Sequence, residues 1–255
     1  RRRTVSRCDQ RIGLRLRACR IDIGDHDLRT GFRQHFGDAD TDPARPALAK
    51  KAELLSDKSF RQALSLGIDR RAIIRARFDN TVRASQVEPG TASPFHNEEL
   101  AQAFIEHDPG RANALLDELE LTRRDVDGLR TFPDGSNLTL YLTFTSNTGL
   151  GPAELVVDDW REVGLRVIAR EQSRVLFQQK RDSSDFDLVA WTSESDHFPL
   201  LASRSFAPPD SEALYATGWG RWFMRGGYYG SPKALDVKNA YPPPPGHPML
   251  AAYRA

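Results

Sequence analysis

The chain has 255 residues, with 36 basic and 35 acidic side chains and a formal net charge of +1. That length allows one large domain or two small ones around a real core, and the balanced charge gives the whole molecule no electrostatic reason to bind nucleic acid or an anionic membrane. No apolar run approaches the roughly 18 residues of a spanning helix, and the two cysteines, Cys8 and Cys19, are too few for a cysteine-based zinc site.

Residues 1–50 differ from the rest. The first 33 contain ten Arg and no Lys, without a sustained apolar period. They read as an irregular, Arg-rich leader, disordered or not native to the remainder of the chain. A basic arm for nucleic acid is the alternative, but a whole-chain excess of 30 Arg over 6 Lys points to high-GC coding instead. Leu16–Cys19 is spelled like a lipoprotein cleavage box, yet the preceding RIGLRLR is charged where an apolar stretch is needed, so no signal peptide is visible.

The organised part, residues 51–205, opens on SFRQALSLGIDRRAIIRARF. Phe60, Ala63, Leu64, Gly67 and Ile68 keep helical spacing, and Ile73, Ile74 and Phe78 continue it. Between them Asp69 suits an N-cap, because its carboxylate accepts from the free N–H groups of a new first turn. Two helices joined near Asp69 are expected. A Pro/Ser/Gly-rich loop comes next. Asp108 then caps a helix with Pro109 at its first position and a stripe of Ala112, Leu115, Leu116 and Leu119.

Asp127-Gly128 and Asp134-Gly135 suit tight turns with positive φ. Asp125-x-Asp127-Gly128 lacks the further acids of an EF-hand loop, so no calcium site is expected. Leu138, Leu140, Leu142 and Phe144 alternate with Thr139, Tyr141, Thr143 and Thr145, the period of a half-buried strand. Pro152 opens a helix whose Leu155, Val156, Trp160 and Val163 share a face and which Gly164 ends. Leu165–Arg170 is a second strand, Ser173 caps a short helix, and Phe186–Trp191 is a third strand. This succession predicts right-handed crossovers and a mostly parallel sheet flanked by helices. From residue 206 to 255 regularity fades, and the run Tyr241-Pro-Pro-Pro-Pro-Gly246 reads as a frayed end or a short polyproline segment.

Five segments in order, SFRQALSLGIDRRAI, HDPGRANALLDELEL, DVDGLRTFPDGSNLTL, AELVVDDWREVGLRV and FDLVAW, resemble family 5 extracellular solute-binding proteins, the dipeptide and oligopeptide binders of bacterial ABC importers. The resemblance implies an α/β, periplasmic-binding-protein-like fold (class II, cluster C type). It covers Ser56 to about Trp222 and corresponds to the later lobe. The first lobe is then missing or incomplete, and residues 206–255 are a truncated return toward it.

What the resemblance implies for function is binding, not catalysis. Two lobes close on a solute by hinge bending, and a membrane permease recognises the closed form. The implied setting is periplasmic or extracytoplasmic. The implied partners are a peptide or related small solute and the permease, with no nucleic acid, no cofactor and a monomeric state. Ligands of open α/β sheets bind beyond the strands' carboxyl ends, which directs attention to Trp191-Thr192-Ser193-Glu194-Ser195-Asp196. Trp191 matches the family's aromatic position. Glu194 or Asp196 matches the acid that meets the peptide α-amino group, with Glu194 favoured on spacing. Arg170, Arg174, Trp219 and Trp222 are further ligand-binding candidates. Nickel complexes, sugars and opines stay open as solutes. An enzyme using Glu194 and Asp196 as an acid/base pair is a weaker alternative, since no nucleophile elbow, phosphate loop or His-Glu-x-x-His motif accompanies them.

Overall fold

The structure, a computed structural model, describes residues 46–86, 91–146, 150–183, 186–190, 208–210, 212, 216–236 and 240–254. Helix α1 spans Pro46–Ser56, ahead of the expected start at residue 51, and its Leu54 and Leu55 already belong to the core. Asp57 then caps α2 (Lys58–Leu66) by accepting from the Ser59 and Phe60 N–H groups. Phe60, Ala63, Leu64 and Leu66 are buried on its inner face.

The expected joint is present. α2 ends at Gly67, and α3 (Arg70–Phe78) begins with Asp69 as its cap, accepting from the Ala72 N–H at 2.8 Å. The Asp69 main-chain N–H, an orphan of the new helix start, donates to Asp159 Oδ2 at 2.8 Å. A short helix α4 (Glu98–Gln102) precedes α5 (Pro109–Glu118), which has the expected Asp108 cap and Pro at its first turn. Ala112 and Leu116 are fully buried there, while Leu115 and Leu119 are partly buried against the same core.

Both Asp-Gly turns form. Gly128 and Gly135 take φ of 76° and 84°, values that a Cβ would strain, and antiparallel bridges Arg124–Arg130 and Thr131–Asn137 flank them. Arg130 follows the first turn and is 2% exposed. A buried guanidinium needs acceptors for its fixed fork of donors. It finds them in the Val163 and Leu121 carbonyls, the Asp117 carboxylate and the Asn113 side chain. This one side chain therefore ties α5, the turn region and the end of the next helix together.

Among the described residues the sheet has three parallel strands, β1 (Thr139–Phe144), β2 (Arg166–Glu171) and β3 (Leu188–Val189), in the order β2-β1-β3. Helix α6 (Leu150–Glu162) joins β1 to β2, and α7 (Arg174–Ser183) joins β2 to β3. The two crossovers leave in opposite directions across β1, so right-handed connections put α6 and α7 on opposite faces. On the α6 side Leu140, Leu142, Phe144 and Val167 pack with Ala153, Val156, Trp160 and Val163. The other face carries Tyr141, Thr143, Ile168 and Arg170, and Ile168 is 43% exposed. Gly164, at φ 84°, ends the α6 turn as expected.

Three details differ from the sequence expectation. Helix α6 starts at Leu150, so Pro152 sits inside its first turn, where a missing N–H costs no hydrogen bond. The third strand is two residues long among the described residues instead of running Phe186–Trp191. The region after 206 holds a helix, α8 (Thr217–Met224), two 3-10 turns (Gly227–Tyr229 and Pro232–Ala234) and α9 (Pro248–Ala252). Aromatic–glycine composition hid α8, because Gly218 and Gly220 weaken helix propensity. Gly220 is required by packing: a Cβ there would run into the Asp210 carbonyl oxygen. The proline run is docked, with Pro243 buried and the Tyr241 N–H donating to the Gly218 carbonyl at 3.2 Å.

Candidate functional site

All three strands point their carboxyl ends to one edge, and the main-chain ladder is knitted up to that edge. The Gln172 N–H donates to the Phe144 carbonyl and the Ala190 N–H to the Thr143 carbonyl, both at 2.9 Å. Those two N–H groups are spent on the ladder, which leaves side chains beside them to supply chemistry. Residues Thr145 and Gln172 are the next positions on β1 and β2 after the paired Phe144 and Glu171. Thr145 is 3% exposed. Its Oγ1 and the Oε1 of Gln172 are buried without a hydrogen-bond partner. Neither residue stood out in the sequence. Thr145 read as the outward member of an alternating strand, and Gln172 lay in the link to α7.

Beyond the edge, Ser173 starts α7 through its hydroxyl, which accepts from the Leu176 N–H at 3.3 Å, and its carbonyl, which accepts from the Phe177 N–H. Arg174 follows on the exposed first turn. Arg170 is exposed too, and its guanidinium carbon lies 3.4 Å from the centroid of the Tyr141 ring, a cation–π stack on the sheet face opposite α6. Lys51 Nζ lies 5.2 Å from the same ring. It also holds both oxygens of Asp187 at 2.8 and 2.7 Å. Asp187 in turn accepts the Tyr141 main-chain N–H at 3.0 Å. This cluster pins the start of β3 to β1 and α1.

Trp191, Glu194 and Asp196 lie outside the described residues. The described residues that lead into this segment end at Ala190, which is fully buried after β3. Trp219 and Trp222 are not at the sheet edge in any described contact. Trp219 is fully buried and meets the His247 ring edge-on at 4.7 Å. Trp222 packs over Gly227, where a Cβ would collide with its Nε1. Its ring lies 6.4 Å from that of Tyr253, which stacks on Phe223 at 4.1 Å and donates its hydroxyl to the Pro208 carbonyl. Burial pushes the Tyr253 and Tyr241 phenols well above their ordinary range. Both tryptophans thus serve the packing of residues 208–254.

The Asp125-x-Asp127 carboxylates face a side chain: Arg166 on β2 donates to both. The Leu129 N–H, with Arg166 adding to it, holds the Asp125 carboxyl below the usual carboxylate range. Among the described residues no group of three His, Cys, Asp or Glu side chains is placed to hold a metal ion.

A family model described as bacterial extracellular solute-binding proteins, family 5 Middle, matches residues 32–203. The chain belongs to this family. The match begins upstream of Ser56, where the five ordered segments start, and runs through α1 and the whole sheet. Among solved structures, the oligopeptide-binding protein OppA superposes with a TM-score of 0.67 at 28% identity, covering 79% of this chain and 33% of OppA. The oligopeptide-binding protein AppA from Bacillus subtilis, in complex with a nonapeptide, gives 0.52 at 18% identity over 68% of this chain and 40% of its own. MelB from Agrobacterium fabrum, in complex with stachyose, gives 0.52 at 18% over 78% and 29%. The last two share the fold alone. The chain spans about a third of OppA's length. No curated protein matched. The α/β fold that the chain shares with these structures is the periplasmic-binding-protein-like one.

Proposed function

We propose that the chain is the solute-binding portion of an ABC importer's binding protein, that its solute is a peptide, and that the solute is delivered to a membrane permease outside the cytoplasm. The observation that carries the reading is the family 5 match across residues 32–203 together with 28% identity to an oligopeptide-binding protein. The sheet's carboxyl edge is the contact surface, in keeping with where open α/β sheets take ligands. The segment after Ala190 supplies Trp191 against the peptide and Glu194 or Asp196 for its ammonium end. No bond is made or broken; binding and lobe closure do the work.

The test is ligand-induced thermal stabilisation with a peptide library, run beside stachyose and a nickel–histidine complex. A solute that binds only the folded chain stabilises it by about 2.7 kcal/mol at a hundredfold excess over Kd. Peptides are expected to raise the unfolding midpoint and to be recovered uncleaved. A shift with stachyose or the nickel complex and none with peptides overturns the peptide assignment.

A further inference from the structure

Two buried polar atoms at the carboxyl edge lack partners, Thr145 Oγ1 and Gln172 Oε1, and their residues stand one position beyond the paired Phe144 and Glu171 of β1 and β2. Buried polar groups without partners are rare, and each calls for an explanation such as a ligand or a water. Among the described residues the Gln172 and Ala190 N–H groups are not spare, since they already serve the Phe144 and Thr143 carbonyls. We propose that Thr145 and Gln172 form an uncharged subsite that takes the main-chain N–H and C=O of one residue of a bound, extended peptide. This rests on the peptide reading above and assigns two residues to it.

The chemistry favours a main-chain amide over a charged terminus. Gln172 Oε1 can only accept, so it calls for an N–H or O–H from the solute. The Thr145 hydroxyl can rotate to donate, so it suits a carbonyl. In an extended chain one residue turns its N–H and its C=O to the same side, as in a hydrogen-bonded antiparallel pair. An acceptor and a donor from adjoining strand ends match that pair. Neither group carries charge, so neither distinguishes an ammonium from a carboxylate or one side chain from another. The subsite would hold peptides independently of their sequence.

A group kept unpaired for a ligand leaves a signature that a structural hydrogen bond does not. Removing it relieves the free chain of a buried unsatisfied atom while weakening the complex. The test compares Thr145→Val and Gln172→Met with wild type, and uses exposed Ser146→Ala as the neighbouring control. Thermal midpoints are read without peptide, and affinities by calorimetry with unmodified, N-acetylated and C-amidated forms of one binding peptide. Each variant is expected to keep or raise the midpoint by roughly 2–4 °C. Each is expected to weaken all three peptide forms equally, by about five- to tenfold, and Ser146→Ala to do neither. A lower midpoint in either variant means that the atom is satisfied in the free chain and overturns the proposal, as do unchanged affinities or a loss confined to one terminal form. Wild type failing to bind any peptide overturns the peptide reading as well; wild type binding peptide with the variants unaffected overturns this proposal alone.

Discussion

Trp160 and Leu64 stand 96 residues apart in sequence and meet in a buried hydrogen bond, the indole Nε1–H donating to the Leu64 carbonyl at 2.8 Å. The contact lies at the end of α2, where a helix leaves its last carbonyls without internal donors, and it fastens α6 to the α2–α3 joint. Gly67 lies beside it, where a Cβ would come into contact with Trp160 Cδ1 at 3.4 Å. Trp160→Phe keeps most of the ring but strands the carbonyl, and is expected to cost about 1–3 kcal/mol in urea unfolding. Equal stability of variant and wild type would show that the bond contributes nothing beyond packing.

Arg130 is expected to be the most damaging single polar site to lose. Arg130→Met leaves the Val163 and Leu121 carbonyls buried without their donor, at a cost of roughly 2–6 kcal/mol, about 1–3 for each stranded acceptor. Arg130→Lys should rescue little, because one ammonium cannot reproduce the planar fork that reaches four groups. Denaturant midpoints of the two variants check this; a lysine variant close to wild type would contradict it.

The pH dependence of stability should carry a contribution from Asp159. Burial raises its carboxyl above the ordinary range and the Asp69 and Glu162 charges add to that, against the opposing Asp69 N–H and His107. A raised folded pKa means that its contribution to stability is full below the unfolded value, about 3.9, and is lost as pH rises through the folded one. Asp159→Asn removes that loss while keeping an acceptor for the Asp69 N–H. The stability difference, variant minus wild type, should therefore grow from pH 3 upward and level off toward neutrality. A difference that is flat, or that shrinks with rising pH, would show that the charge is favourable where it sits.

The Lys51–Asp187 pair, 12% and 10% exposed at its side chains, should govern the start of β3. Lys51→Met leaves a nearly buried carboxylate with only the Tyr141 N–H, a loss of roughly 3 kcal/mol. The double variant Lys51→Met/Asp187→Asn removes the charge but keeps that acceptor, and should recover most of it. Amide exchange at Leu188 and Ala190 is the local readout: faster in the single variant, near wild type in the double.

The scaffold was legible because its signals are local. Asp69 and Asp108 as caps, Gly128, Gly135 and Gly164 at positive φ, and the alternation from Leu138 to Phe144 each have one-residue physical causes, and each appears as expected. The joining of α6 to α2 through Trp160, or Arg130 reaching four acceptors, depends on distant segments meeting and has no spelling. The same limit applied to the site. Thr145 and Gln172 become notable only when two strands align and both polar atoms prove buried and unpaired. Trp219 and Trp222 read from the sequence either as pocket lining or as packing residues, and only the structure shows that Trp219 is fully buried and that Trp222 lies over Gly227.

The strand order β2-β1-β3 also bears on how the sheet comes into being. β1 is both the central strand and the first to be synthesised, so the template for each edge exists before that edge leaves the ribosome. The two edges then add separately, with six paired positions on the β2 side and, among the described residues, two on the β3 side. Peeling β3 away leaves the β1–β2 register whole. The strand that leads to Trp191 can thus detach and re-form without the rest of the sheet having to refold.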